Sequence, residues 1–261
     1  RGILTGLNEA FVIDAETRKR LIAEDKKSAE IIKPFLLGRD IKRYRESIST
    51  RFLIFTRRGI DIKSYPAIYG YLSQYKEKLM PKPKNWKGAE WKGRKPGNYQ
   101  WYEIQDAVDY HEEFEKPKII IPTIVKSASY AFDIDNFYSN DKTSIIPTND
   151  LFLFGTLNSR LADFFVHSIA STKQGGYFEY KPMYIEKIPI ASGEGTNKKN
   201  LIENLAQKII SLQKKLADAK TDHEQTLIQR QIDATDNQID KLVYELYDLT
   251  PEEIAVVEGN I

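Results

Sequence analysis

The chain has 261 residues, of which 41% are hydrophobic, and a formal net charge of +2. A chain of this length can bury the core of one large domain, or of one domain with an appendage. It contains no cysteine, which excludes disulfides, thiolate zinc sites and cysteine nucleophiles. No apolar run approaches the roughly 20 residues that a membrane-spanning helix needs. We therefore expect a cytoplasmic protein.

The charge is distributed unevenly along the chain. Residues 201–261 include 12 acidic and 6 basic side chains, a balance of −6, so residues 1–200 carry +8. This asymmetry is typical of a protein whose basic part faces a polyanion. The sequence starts with Arg1 and not with methionine, and we expect a piece of a longer protein.

The N-terminal third mixes strand and helix signals. Residues 10–13 predict a short strand, and Asp14 is expected to cap a helix that runs through residues 21–22. The apolar and β-branched residues 52–56 predict a second strand. A proline near the start and helical spacing of apolar residues indicate one helix over residues 65–80.

The middle of the chain alternates between extended and helical patterns. Three prolines and two glycines indicate a long loop over residues 81–96. Clusters of β-branched and apolar residues predict strands at residues 118–121, 130–134, 144–147 and 184–190. An apolar helix over residues 151–166 is expected to break near Asn158, and glycines predict a turn at residues 173–176.

The C-terminal part is purely helical in pattern. A Gly/Ser-containing linker at residues 191–197 precedes two apolar heptad seams, which are joined near residues 220–222 and predict an antiparallel helical hairpin. Thr250 and Glu253 form a capping-box pattern that starts a short further helix. We predict an α+β fold, with one domain over residues 1–195 and the hairpin with its short helix over residues 196–261.

A basic loop with interleaved tryptophans is the main candidate for nucleic-acid binding. Lysines neutralise phosphates and release counterions, while aromatic faces stack on bases. The alternative is a solvated lysine loop whose tryptophans pack on the core. The candidate DNA-binding residues of this loop are Lys82, Lys84, Trp86, Lys87, Trp91, Lys92, Arg94 and Lys95.

Three further groups are candidates for contacts to bases or phosphates. Arginine offers a paired donor geometry that suits guanine or a phosphate, and glutamine can pair with adenine. For each arginine cluster, a surface salt bridge is an equally good interpretation. These residues are Arg39, Lys42 and Arg43, then Arg57 and Arg58, and then Lys173, Gln174 and Tyr177.

The sequence offers little for catalysis by this chain alone. The three histidines are far apart and have no second ligand at helical spacing, so we predict no metal site and assign no catalytic residue. One alternative is a Mg²⁺-dependent nuclease that uses Glu179 and Lys181, with Asp150 and Asp163 upstream. A second alternative is a protein-interaction module that uses the hairpin.

Several segments, taken in order, resemble one family. They are Gly-Ile-Leu-Thr-Gly-Leu-Asn-Glu-Ala-Phe-Val-Ile-Asp at residues 2–14, Ile-Ile-Lys-Pro-Phe-Leu with Gly-Arg-Asp-Ile-Lys-Arg-Tyr over residues 31–44, Trp-Tyr-Glu at 101–103, Lys-Pro-Lys-Ile-Ile at 116–120, Leu-Asn-Ser at 157–159, and Glu-Tyr-Lys-Pro-Met-Tyr-Ile-Glu-Lys-Ile-Pro-Ile at 179–190. Together they resemble the TaqI-like C-terminal specificity domain of type IIG restriction–modification enzymes and N6-adenine DNA methyltransferases.

The resemblance implies recognition of a specific sequence in double-stranded DNA. It also implies a parent enzyme whose N-terminal methyltransferase domain binds S-adenosylmethionine, carries an Asn-Pro-Pro-Tyr-type motif and methylates a flipped adenine. That motif does not occur in this sequence. The parent could also cleave DNA with Mg²⁺. We expect no cofactor in this chain, a prokaryotic cytoplasmic location, and DNA and the methyltransferase domain as partners.

Overall fold

The computed structural model describes residues 1–45, 49–193 and 196–259. The strands are β1 (Val12–Asp14), β2 (Ile32–Leu36), β3 (Arg51–Ile54), β4 (Lys118–Pro122), β5 (Ile124–Val125), β6 (Ala131–Asp133), β7 (Tyr138–Ser139), β8 (Thr143–Pro147), β9 (Thr172–Lys173) and β10 (Tyr177–Glu179). The helices are α1 (Asn8–Phe11), α2 (Ala15–Glu24), α3 (Ser28–Ile31), α4 (Pro66–Ser73), α5 (Lys76–Leu79), α6 (Leu151–Leu157), α7 (Arg160–Ile169), α8 (Pro182–Ile185), α9 (Lys198–Asp218), α10 (Asp222–Leu246) and α11 (Pro251–Val257). This mixture of helices and small sheets confirms the α+β class.

The chain divides into two compact units. The first unit contains residues 1–37, 48–115 and 136–141, and the second contains residues 38–47, 116–135 and 142–261. The sequence predicted a domain boundary between residues 195 and 196. A division into compact units does not test whether the parts fold as independent domains, so this boundary stays a prediction.

The first unit is built on a sheet with the order β1-β3-β2-β7. Its first three strands are antiparallel, and β7 joins β2 in parallel with Phe35 beside Tyr138. Asp14 ends β1 and starts α2 because its side chain accepts a hydrogen bond from the Thr17 amide at 2.8 Å, as the sequence predicted. Buried apolar side chains on the strands and on α4, such as Leu53, Ile54 and Leu72, form the interior.

The second unit contains two antiparallel sheets, with the orders β6-β4-β8 and β5-β10-β9. The strand β4 is buried along its whole length, and it pairs with β8 through contacts such as Ile120 beside Ile145. The apolar cluster of this unit joins that sheet to α6, α7, α9 and α10. Gly155 allows α6 to approach α9 closely, because a Cβ there would lie 2.8 Å from Cγ2 of Ile202.

The helical hairpin is present as predicted. The helices α9 and α10 bury one face each, including Leu212 and Ile239 of the two predicted seams. Thr221 caps α10 through the Glu224 amide. The capping box at Thr250 is also confirmed, and it starts α11.

Three local predictions were wrong. Residues 8–11 form a helical turn before β1, whereas a strand was expected from residue 10. The helix expected over residues 65–80 is interrupted at Gln74 and Tyr75. The strand expected at residues 184–190 is absent, since Pro182 occupies the first position of α8, where its missing N–H costs nothing. The expected break near Asn158 is confirmed, with Ser159 capping α7.

Candidate nucleic-acid interface

The two ends of the basic loop in the first unit lie side by side. Pro81 and Arg94 form an isolated bridge. The Arg94 amide donates to the Met80 carbonyl at 2.9 Å, and the Lys82 amide donates to the Arg94 carbonyl at 3.0 Å. Residues 83–93 therefore form a loop with a fixed base.

The Arg94 side chain lies inside the unit and not on its surface. Only 4% of the residue is exposed. Its guanidinium donates to five backbone carbonyl oxygens, those of Leu79 (2.8 Å), Thr5 (3.1 Å), Glu103 (2.8 Å), Gln100 (3.2 Å) and Trp101 (2.9 Å). Burial lowers the pKa of Arg94 to about 10, so it is still cationic at neutral pH. Because its donors are used internally, we omit Arg94 from the proposed DNA-contacting set.

Residues 2–14, the first segment that resembles the family, contact the base of this loop. Gly6 has a φ of +83°, and a Cβ there would lie 2.7 Å from Oε1 of Gln105 and 2.8 Å from Cδ of Arg94. A side chain at this position would displace the arginine. The next-door Thr5 supplies one of the carbonyls that bind Arg94. Residues 5–6 thus hold the base of the basic loop.

Two tryptophans lie in the loop and contact each other. The rings of Trp86 and Trp91 meet edge to face, with centroids 4.9 Å apart. Trp91 is half-buried, and its indole N–H donates to the Met80 carbonyl at 3.2 Å. Trp86 is 41% exposed. The alternative interpretation was a loop whose tryptophans pack on the core. Trp91 fits it in part, because it is half-buried, whereas Trp86 is exposed to solvent.

The lysines of the loop are open to solvent. Lys84, Lys87, Lys92 and Lys95 are exposed, and Lys82 is half-buried. Lys92 lies 3.6 Å from Glu77, but both side chains are largely exposed, and such a pair contributes about 1 kcal/mol or less. These cations are available to a polyanion.

Arg57 and Arg58 differ in their surroundings. Arg58 donates to the carbonyls of Ile104 (2.7 Å) and Gln105 (2.8 Å), lies over the ring of Tyr99, and sits 3.6 Å from Glu103. It holds the chain where β3 ends. Arg57 is exposed and lines a cleft of about 360 Å³. Of the two, Arg57 is the better candidate for an external anion.

The basic cluster at residues 39–43 belongs to the second unit, and its members also differ in their surroundings. Arg39 and Lys42 are exposed. Arg43 forms a two-pronged ion pair with Asp236 of α10 and donates to the carbonyl of Asn158. The Gly-Arg-Asp-Ile-Lys-Arg-Tyr segment is thereby fastened to the helical hairpin. No local pattern predicts this role of Arg43, because its partner Asp236 lies 193 residues away along the chain.

The turn between β9 and β10 presents the last group of candidates. Gly175 and Gly176 have φ values of +81° and +76°, which a side chain would disfavour. Lys173, Gln174 and Tyr177 are exposed around this turn. The sequence missed one neighbour, Lys126, whose ammonium lies 5.4 Å from the centre of the Tyr177 ring.

An ion cluster at Glu179 supports the same hairpin. Lys173 and Lys181 each approach its carboxylate at 2.9 Å. Hydrogen bonds from Lys181 and then Lys173 lower the pKa of Glu179, so the group is ionised at neutral pH. The cluster links both strands of the hairpin and holds the ammonium group of Lys173 at the Glu179 carboxylate.

The acids of the nuclease alternative have separate tasks. Asp150 caps α6 through the Leu153 amide. Asp163 accepts hydrogen bonds from the Ala128 amide and the Tyr180 hydroxyl. Glu179 binds two lysines. Within residues 1–45, 49–193 and 196–259, no three or more His, Asp or Glu side chains are grouped so that they could hold a metal ion. In the same ranges, no helix is long and apolar enough to cross a membrane.

Comparison with known proteins gives consistent results. The family model described as the TaqI-like C-terminal specificity domain matches residues 33–190. The type II methyltransferase M.BstVI of Geobacillus stearothermophilus is 23% identical over 271 residues, which cover 100% of this chain and 40% of that protein. The chain therefore spans less than half of this relative.

Two solved structures align with this chain. The type IIL enzyme MmeI, solved in complex with DNA, aligns with a TM-score of 0.66 and 16% identity, over 99% of this chain and 34% of that one. The type IIG endonuclease BpuSI aligns with a TM-score of 0.45 and 12% identity, over 94% of this chain and 30% of that one. The likeness to MmeI shows a shared fold.

Proposed function

This chain belongs to the family of TaqI-like C-terminal specificity domains, and we propose that it recognises a specific sequence in double-stranded DNA. The observation that carries the proposal is the basic loop, whose base is fixed by Arg94 while its lysines stay exposed. A fixed base keeps the charges together at little entropic cost, which is what binding to a phosphate backbone needs.

The two groups of exposed side chains have different tasks in this proposal. The lysines of the loop contact phosphates and position the protein, without reading sequence. Gln174, on the turn held by Glu179, and Arg39 reach base edges, while Lys173 supports the turn through its ion pair with Glu179. Glutamine and arginine provide the paired donors and acceptors that distinguish bases in the major groove. Arg57 and Lys42 add phosphate contacts.

The parent protein is proposed to be a site-specific N6-adenine DNA methyltransferase, with or without endonuclease activity. S-adenosylmethionine, and Mg²⁺ if the parent cleaves DNA, are assigned to its catalytic part, and none of the residues above is assigned to holding them. Residues 196–261 are proposed to brace the specificity domain against the methyltransferase domain. A cytoplasmic location in a prokaryote fits this activity. We expect no methyl transfer from S-adenosylmethionine to DNA by this chain alone.

Binding to duplex DNA at varied salt tests the proposal. If about six phosphates are contacted, the affinity should fall by about 10³ between roughly 50 and 200 mM salt. Binding that does not respond to salt would contradict it. Absence of any binding at low salt would instead favour the protein-interaction module, and Mg²⁺-dependent cleavage of a plasmid would favour the nuclease.

A further inference from the structure

Trp86 is held on the basic loop in a way that leaves part of its ring open. The backbone of Gly88 lies against the indole, since a Cβ at that position would come 2.5 Å from Cζ2 and 2.8 Å from Cε2 of Trp86. The ring also meets Trp91 edge to face at 4.9 Å. About two-fifths of the residue, 41%, is exposed to solvent.

The support beneath Trp86 is itself fixed. Trp91 donates its indole N–H to the Met80 carbonyl. A Cβ on Gly93 would lie 2.2 Å from that same carbonyl oxygen and 2.7 Å from Nε1 of Trp91. A turn from Pro83 to Trp86 is closed by a 3.1 Å hydrogen bond from the Trp86 amide. The exposed indole surface is therefore preorganised, so little side-chain entropy is lost when it is covered.

The residues near this ring favour a ligand that carries both negative charge and an aromatic group. Lys84, Lys87 and Lys92 are exposed in the same loop. An apolar protein partner would have to desolvate these ammonium groups, which is costly. A nucleic acid would neutralise them with its phosphates and could stack a base on the indole.

In an intact duplex each base is already stacked on both sides, so its face is closed to a protein ring. A rigid indole in a loop with exposed lysines can cover a base face only where the stack is interrupted. Resting on the proposed DNA recognition, we propose that Trp86 is a stacking site for an unstacked nucleobase, and that the loop prefers DNA whose base stack is locally opened. The ligand class is a duplex with one extrahelical or unpaired base.

The test compares two short duplexes of the same sequence, one fully paired and one with an unpaired adenine. The wild-type chain should bind the second about tenfold more tightly, which lies within the range for one base–aromatic stack. W86L should lose this preference, so that it binds the two duplexes with equal affinity, whatever its affinity for the paired duplex. W86F, which retains a flat ring, should keep part of the preference. K84A is the matched control, and it should weaken binding to both duplexes equally.

A fluorescence measurement reports the stacking itself and does not depend on differences in affinity. With 2-aminopurine as the unpaired base, binding of the wild-type chain should quench the probe, and K84A at saturation should quench it equally. Equal binding of both duplexes, or a preference retained by W86L, would overturn the stacking site and leave DNA recognition intact. Absence of binding to either duplex would overturn both proposals.

Discussion

The side chain of Arg94 donates from Nη1 to the carbonyl oxygen of Thr5 at 3.1 Å, across 89 residues of sequence. Thr5 lies in residues 2–14, the first segment that resembles the family, and Arg94 lies at the base of the basic loop. The N-terminal segment and the basic loop look unrelated in the sequence, but they are in contact, and the N-terminal segment holds the loop in place.

Replacing Arg94 with lysine should destabilise the first unit although the charge is kept. Lysine lacks the planar fork and cannot reach carbonyls in three segments at once, so buried acceptors would lose their partners. We expect the free energy of unfolding to fall by about 3 kcal/mol. Urea denaturation measures this. K95A removes an exposed neighbour and should change stability by less than about 0.5 kcal/mol. Equal stability of R94K and wild type would show that the five bonds are dispensable.

Replacing Asp240 with asparagine should change how stability depends on pH. Burial raises the pKa of Asp240 from 3.8 to about 6, and its carboxylate accepts from the Arg160 amide at 2.8 Å. The folded state therefore binds the proton more tightly than the unfolded state, so this group makes stability fall as pH rises from about 4 to 6.

The difference between wild type and D240N isolates that contribution. Two pK units correspond to about 3 kcal/mol, so wild type should lose up to that amount relative to D240N across this range. Urea denaturation at several pH values gives the curve. D233N, on the exposed side of the same helix, should follow wild type. Parallel curves for wild type and D240N would contradict the raised pKa.

Placing aspartate in the hairpin seam should unfold the second unit at lower temperature. Ile239 is fully buried and Leu212 is 6% exposed, and an unpaired charge at either position typically costs several kcal/mol. Thermal melting of L212D and I239D measures the loss. Gln238 is the matched control, because Q238D places the same charge on the exposed neighbouring position. A seam variant that melts with wild type would disprove the packing.

The lysines and the polar turn should affect DNA binding differently. Changing Lys84, Lys87 and Lys92 to alanine should weaken binding about equally for all sequences and reduce the salt slope by about 1 for each lost phosphate contact. Changing Gln174 or Arg39 should instead relax one position of the recognised site, at about 1–3 kcal/mol for a true base contact.

A charge-matched control separates local from overall electrostatics in that comparison. Lys208, Lys215 and Lys241 are exposed on the hairpin, and their triple alanine variant removes the same charge elsewhere. It should leave affinity nearly unchanged at physiological salt. If the loop lysines altered the preferred sequence while Gln174 and Arg39 did not, the two roles would be reversed.

The sequence predicted elements best where local signals were strong. The cap at Asp14, the capping box at Thr250 and the hairpin seams depend on neighbouring residues, and the structure confirms them. The strand expected at residues 184–190 failed because its apolar residues also suit a helical turn that starts at Pro182.

Local sequence patterns could not predict the roles of individual arginines. Arg43, Arg58 and Arg94 look like their exposed neighbours in the sequence, yet each binds groups that are distant along the chain. Only the fold brings these partners together. A basic cluster therefore predicted where an interface could lie, but not which cations build it and which support it.

Selection from a random library of DNA duplexes tests whether this chain recognises a specific DNA sequence. The chain is incubated with the library at low salt, the bound duplexes are recovered, and their sequences are compared with the input. We predict that a short motif is enriched, that Q174A relaxes this motif, and that K84A/K87A/K92A lowers total recovery without changing the motif. Bound duplexes with the same composition as the input library would contradict sequence recognition by this chain.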